Sequence, residues 1–133
     1  MRDMTFGWEM RTWARMQNKT GKSKVFVYYF SRVPPGPDSK RYGSYHASEI
    51  SYAFDNLNKS NRPWEEADRK LAEVMSSYWV NFATTGDPNG KGLPKWPAYQ
   101  EKTDLAMGLG DKVEAQPLPN REALDFLDGY LKK

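Results

Sequence analysis

Lys24 to Ser31 reads Lys-Val-Phe-Val-Tyr-Tyr-Phe-Ser, β-branched and aromatic throughout. That composition predicts a strand. Polar and apolar residues do not alternate along it, so both of its faces need cover, as in the middle of an α/β sheet. Such a strand also needs neighbours, and the chain supplies few. Two short strand candidates, Leu105 to Leu109 and Val113 to Gln116, meet at Gly110-Asp111 and predict one hairpin. The remaining periodic segments are helical. The expected fold class is therefore α/β, a small sheet made by the strand near 24–31 and the hairpin near 105–116. Helices near 5–18, 64–85 and 121–131 flank it.

Each helix has its own pattern. Phe6, Met10, Trp13 and Ala14 fall at i, i+4, i+7 and i+8 and give one apolar face ringed by charge. Asp3 or Thr5 is placed to cap that helix, and Gly21 stands where a glycine stop belongs. Pro63 is placed to open the longest helix. Glu65, Glu66 and Asp68 in its first turns suit the positive end of the helix dipole better than a paired-carboxylate site. Leu71, Val74, Met75, Tyr78, Trp79, Phe82 and Ala83 then hold one face at steps of three and four. Gly86-Asp87-Pro88-Asn89-Gly90 stops that helix. Leu93 to Tyr99 predicts an extended, irregular segment packed by its aromatics. Asn120 caps the last helix, which turns Leu124, Leu127 and Leu131 inward.

The bulk properties fit one core. A chain of 133 residues is the length of a single domain, and 14% aromatic content gives ample material for its interior. Residues 1–133 are therefore read as one unit, with no internal repeat and no domain boundary. The net charge of +3 comes from 20 basic and 17 acidic residues that are interleaved along the chain. So mild a balance indicates solvated helix faces, and no nucleic-acid or anionic-membrane partner. There is no cysteine, which excludes disulfides and thiolate chemistry and leaves the compartment open. No apolar run approaches a membrane span, and the N-terminus lacks a signal-peptide pattern. Asn18-Lys19-Thr20 and Asn58-Lys59-Ser60 match the glycosylation acceptor pattern, which is short enough for chance to explain both.

The only histidine, His46, lies in Gly43-Ser44-Tyr45-His46-Ala47-Ser48-Glu49-Ile50-Ser51-Tyr52-Ala53-Phe54. A turn-rich loop, Val33-Pro34-Pro35-Gly36-Pro37-Asp38, delivers the chain to it. A short helix over Glu49 to Phe54, with Ile50, Ala53 and Phe54 on one side, follows. A histidine between strand and helix is well placed to be a general base, although a lone histidine is more often a packed or surface residue. His46 and Glu49 at i, i+3 do not suffice for a zinc site in a chain with no further His and no Cys. No cofactor pattern is present: there is no P-loop, no dinucleotide glycine motif and no G-x-S-x-G nucleophile elbow.

The segment G-S-Y-H-A-S-E-I-S-Y-A-F resembles the G-A-x-H-x-x-E-I/L-x-Y-x-F segment of type-B carboxylesterases, which are α/β-hydrolases. Phe6-Gly7-Trp8 through Trp13-Ala14 and Val25 to Phe30 resemble the family's helix and last major strand before the histidine. Asp68, Leu71, Met75, Tyr78-Trp79, Asn81-Phe82-Ala83, Thr85-Gly86-Asp87-Pro88-Asn89, Leu93-Pro94 and Trp96-Pro97 resemble its Y-W-x-N-F-A-x-T-G-D-P-N and L-P-x-W-P signatures. The resemblance covers nearly the whole chain, in order. Ser44 stands where the family usually has Ala, a small-for-small change.

The resemblance implies that His46 is the base of a Ser–Glu–His triad and that Glu49 is a supporting or helix-start residue. The family order is nucleophile, acid, histidine. A segment holding only the histidine is then expected to be the C-terminal portion of a longer hydrolase acting on a small carboxylic ester. Ser44, Ser48 and Glu49 are not recruited as the missing nucleophile or acid. Two further readings stay open. One is a binding or adhesion relative of the same fold that has lost its serine. The other is a small interaction module that self-associates through the open edge of its sheet.

Overall fold

The computed structural model describes residues 6–131. Helix α1 (Trp8–Thr20) leads to strand β1 (Tyr28–Phe30), and two one-turn helices, α2 (Ser39–Tyr42) and α3 (Ile50–Ala53), follow. A 3-10 turn at Leu57–Lys59 precedes the long α4 (Glu66–Thr85). Strands β2 (Leu105–Leu109) and β3 (Val113–Pro117) and helix α5 (Arg121–Leu131) complete the order. The sheet runs β1-β2-β3. β1 is parallel to β2, with Tyr28 opposite Met107, and the β2–β3 hairpin is antiparallel, as expected from its glycine-aspartate joint.

The hydrogen-bonded strand is shorter than the 24–31 run. Extended backbone nevertheless continues on either side: the Val25 and Val27 carbonyls accept from Tyr99 and Met107, and the Ser31 amide donates to Leu109. Both faces have cover, although it is incomplete: Val25 and Val27 pack with Ala14 of α1, and Phe26 and Phe30 pack against the main core. Of the residues between Val25 and Phe30 only Val27 is buried, and Tyr28 is 39% exposed. The physical reason is that one edge of β1 has no strand beside it among the described residues, and α1 does not close the space.

Helix α1 is turned over relative to its apolar pattern. Ala14 packs inward, but Phe6 and Trp13 are 69% and 77% exposed. Its inward residues are Arg11 and Arg15, which reach α5 and the turn before β2. Arg11 lies 2.6 Å from Asp104 and 2.7 Å from Asp125, and Arg15 pairs with Asp128 and Glu101. The Trp8 indole also donates to Asp128, at 2.9 Å. Charge pairing overrides the hydrophobic face here. The Gly21 amide closes the helix on the Gln17 carbonyl, while the expected caps Asp3 and Thr5 lie outside the described residues.

Helix α4 supplies the main core. Leu71, Ala72, Met75 and Tyr78 are buried against Tyr52, Leu57, Met107 and Leu109. Phe82 and Ala83, expected on the same face, are exposed, although the Phe82 ring still meets Phe26 edge-on with centroids 6.0 Å apart. Pro63 is not in the first turn. Glu65 is the N-cap, so the proline lies in the extended lead-in. Gly86 stops the helix in the left-handed conformation (φ 76°), donating to the Phe82 carbonyl at 2.8 Å. In α5, Leu124 and Leu127 are buried as expected, but Leu131 is 40% exposed beyond the last inward turn.

The irregular segment after α4 is held by Asn89. Its side-chain oxygen accepts from the Trp96 amide and its nitrogen donates to the Trp96 carbonyl, both at 2.8 Å. Trp96 is 4% exposed, its indole donates to the Val27 carbonyl at 3.1 Å, and its ring centroid lies 5.0 Å from that of Tyr78. One indole thus joins α4, β1 and the segment after α4. Trp96→Ala is expected to lower the unfolding free energy by about 3–5 kcal/mol, read from urea midpoints by tryptophan-independent circular dichroism. A loss under about 1 kcal/mol would show that the cluster repacks around the gap.

Candidate functional site

The chain leaves β1 at Arg32 and returns to the core at Tyr52, and His46 lies on the loop between. The stems of this loop are strongly fixed. Arg32 donates to Asp68, Glu65 and Asp111, each at 2.7 Å. Tyr52, fully buried on α3, donates to the same Asp68 oxygen as Arg32, at 2.8 Å. α3 buries Tyr52 and leaves Ile50 and Phe54 exposed, the reverse of the expected face, because the phenol must reach Asp68.

Nearer its middle the loop is tied to itself and to the segment before α4. The Ser39 hydroxyl donates to the Pro34 carbonyl at 2.6 Å. Arg62 donates to the Tyr45 hydroxyl at 2.9 Å, with its guanidinium 5.6 Å from the Tyr45 ring centroid. The Ser44 hydroxyl lies 3.4 Å from the Phe30 carbonyl, which brings the loop back over the C-terminal end of β1. This is the end of the strand where open α/β sheets gather their chemistry. Gly43 (φ 58°) and Ala47 (φ 68°) bracket the histidine in the left-handed region, which a non-glycine residue seldom enters. Ser48 is buried, and its hydroxyl has no partner among the described residues.

His46 itself is exposed and makes no hydrogen bond among the described residues. It lines one end of a groove of about 1090 Å³, together with Glu49. Most of the remaining lining is apolar, with Met10, Trp13 and Met16 of α1 and Val25, Phe26, Tyr28 and Phe30, while Glu9, Gln17 and Thr20 add polar groups on the α1 side. The outward turn of α1 therefore builds this groove. Glu49 starts α3, its carbonyl accepting from Tyr52 and Ala53. Burial, and then the Glu49 carboxylate, push the Tyr28 phenol above its ordinary value. The structure thus brings His46 and Glu49 to one groove wall. Among the described residues it places no serine–histidine pair and no group of three metal-ligating side chains.

Sequence reasoning missed the carboxylate that holds the stems. Asp68 was legible as a helix-dipole acid and as part of the family resemblance, and nothing in the spacing of Arg32 or Tyr52 pointed to it as their partner. Burial acts to raise the Asp68 carboxyl, but hydrogen bonds from Arg32, the Glu65 amide and Tyr52 outweigh it, so its pKa falls below the ordinary value.

With that geometry in place, comparison with known proteins identifies the chain's relatives. Residues 1–127 match the sequence profile of the "Carboxylesterase family". The chain belongs to the carboxylesterase family. It is 48% identical over 116 residues to "Carboxylesterase 5A" of Canis lupus familiaris, a match covering 77% of this chain and 20% of that protein. It is 35% identical over 137 residues to "Liver carboxylesterase" of Sus scrofa, covering 100% of this chain and 24% of that protein. A solved thermophilic PNB esterase matches with TM-score 0.68 and 25% identity, covering 78% of this chain and 22% of the other. A second PNB esterase structure gives TM-score 0.69 at 26% identity, with 82% and 22% covered. The fold is thus that of part of an α/β-hydrolase, and the chain spans about a fifth to a quarter of the length of these relatives.

The buried phenols set a pH dependence. Burial pushes Tyr78 up to about 12, and burial with the hydrogen bond to Asp104 pushes Tyr99 up to about 12. A raised phenol stabilises the folded chain fully below its ordinary pKa of 10.0, and that contribution is lost as pH rises from 10 toward 12. Depressed Asp68 behaves oppositely: its contribution is present above 3.8 and is lost as pH falls through its lower folded value. Urea midpoints are therefore expected to be level near neutrality and to drop on both flanks. An unchanged midpoint between about pH 9 and about pH 11.5 would contradict the phenol account.

Proposed function

We propose that residues 1–133 form one unit, the C-terminal portion of a serine carboxylic ester hydrolase, with His46 as the triad base. The observation that carries this reading is the position of His46. It stands on the loop above the C-terminal end of β1, at the wall of an open apolar groove, in a chain about a fifth to a quarter as long as its carboxylesterase relatives. A base so placed faces the space where a nucleophile from the preceding part of the hydrolase would stand.

The chemistry is two-step acyl transfer on a small carboxylic ester. His46 takes the proton of an upstream serine as that oxygen attacks the ester carbonyl, and an upstream glutamate orients the imidazole. Backbone amides stabilise the oxyanion. His46 returns the proton to the departing alcohol, then activates the water that releases the acid. Glu49 supports the loop as the first residue of the α3 turn and touches no reacting atom.

The deciding experiment is to read the frame upstream of Met1 in the source DNA and express what it encodes. A G-x-S-x-G after a strand, followed by a glutamate, is expected. In that longer enzyme His46→Ala should lower kcat for a nitrophenyl ester by about 10⁴-fold or more. The 133-residue chain alone should show no serine-esterase turnover, since on this reading the nucleophile and the oxyanion hole are supplied by the preceding part of the hydrolase. A longer protein with the serine replaced, or an active one indifferent to His46→Ala, would sink the proposal.

The open groove has a second consequence. Alone, the chain self-associates through the β1 edge and the exposed aromatics of α1. Light scattering at high concentration should give a mass above 15.4 kDa, and Trp13→Glu should reduce it. A clean monomer at every concentration would count against this use of the surface.

A further inference from the structure

We propose that Asp68 is the positioning residue for His46, its buried carboxylate holding both stems of the histidine loop. This rests on the reading of His46 as the base and concerns what keeps that base in place. Arg32, where the loop begins, and Tyr52, where it ends, donate to the same oxygen, Asp68 Oδ1, at 2.7 and 2.8 Å. The other oxygen, Oδ2, accepts from the Glu65 amide at 2.9 Å, which locks the carboxylate to the first turn of α4. Asp68 and Tyr52 are both 0% exposed. A long excursion of chain therefore starts and finishes at one atom of the most extensive helix in the molecule.

The middle of the loop has no comparable anchor. The Ser44–Phe30 contact is long, at 3.4 Å, and the Arg62–Tyr45 bond is exposed. His46 is exposed and has no hydrogen bond of its own among the described residues. Ala47 is nevertheless held at φ 68°, a conformation that persists only where the surroundings over-determine it. A tip with weak contacts takes its place from its stems. Charge strengthens them, because hydrogen bonds to an ionised acceptor are shorter and stronger than neutral ones. Asp68 also occupies the third position of α4, where an acid satisfies the helix start. That role does not involve the Tyr52 hydroxyl, so Tyr52 separates positioning from capping.

The chain has one histidine, so its imidazole gives a single Hε1 resonance in proton NMR. Tyr52→Phe removes one hydroxyl and keeps the ring. It is expected to shift that resonance toward the position of an unstructured peptide. The hydrogen-bonded amides of Ser48 and Ile50 should exchange about tenfold faster or more, the loss of one hydrogen bond to a charged acceptor. Asp68→Asn should move both readouts further, because the Arg32 stem loosens as well. Leu124→Ala, which opens the core under α5, is a control that destabilises without touching the loop and should leave the His46 signal in place.

An unmoved His46 resonance with unchanged loop exchange in folded Tyr52→Phe overturns the proposal, as does an equal shift in Leu124→Ala. If Asp68→Asn does not fold, Tyr52→Phe alone decides. No turnover enters these readouts. An esterase parent that needs His46, paired with an unmoved signal, refutes the clamp and keeps the base. A parent indifferent to His46→Ala, paired with a shifted signal, refutes the base and keeps the clamp.

Discussion

Arg11 reaches from α1 to the Asp104 carboxylate, which is fully buried, and the 2.6 Å ion pair between them decides which side of the helix faces the protein. Breaking such a pair by removing one partner leaves an uncompensated buried charge, a cost of about 3–5 kcal/mol. Turning the other side outward leaves Trp13 and Met16 exposed, a loss of about 1.5–3 kcal/mol for each large apolar side chain, against the two arginines, Arg11 and Arg15, whose pairings would otherwise be broken. The electrostatic term wins, and α1 presents its apolar face to the outside. The groove, the exposed edge of β1 and the surroundings of His46 all follow from that orientation.

The same arrangement recurs at the other end of the sheet. Asp104 accepts from the Tyr99 hydroxyl at 2.6 Å and pairs with Arg11, while Asp68 accepts from the Tyr52 hydroxyl and pairs with Arg32. Each triplet buries one carboxylate and sets one phenol and one guanidinium against it, the kind of pairing under which a buried charge is tolerated. One triplet fastens α1 and α5 to the turn before β2. The other fastens the loop after β1 to α4. Between them the Trp96 cluster fills the interior with edge-on aromatic contacts.

The parts of this design that depend on local periodicity were legible in the sequence. The long helix, its glycine stop, the hairpin and the aromatic segment around Trp96 each follow from spacing within a few residues. What was not legible depends on pairs far apart in the chain. The apolar stripe of α1 predicts a buried face, and only the meeting of Arg11 with Asp104 and Asp125 reverses it. In α3 the pattern favours Ile50 and Phe54, and the Asp68 carboxylate draws Tyr52 inward instead. The strand at Val25 to Phe30 reads as covered on both faces, and it does pack against both clusters, but its open edge among the described residues leaves that cover incomplete. His46 and Glu49 stand close together in one local motif, whereas the pairing of Arg32 with Asp68, which holds their loop, spans 36 residues and carries no local signal.

On the proposed reading, the loop divides two requirements that conflict in a single segment. A base must be held within a fraction of an ångström, yet its imidazole must stay free for the serine and the orienting acid. Placing the strong hydrogen bonds at Arg32 and Tyr52 meets the first requirement without touching the ring. Left-handed backbone at Gly43 and Ala47 meets the second, by turning His46 away from the loop's own bonding groups and toward the groove. The tip is thereby preorganised without being satisfied. On that reading the left-handed Ala47 beside the histidine and the buried carboxylate beneath its stems serve one end, a fixed position for an unencumbered ring.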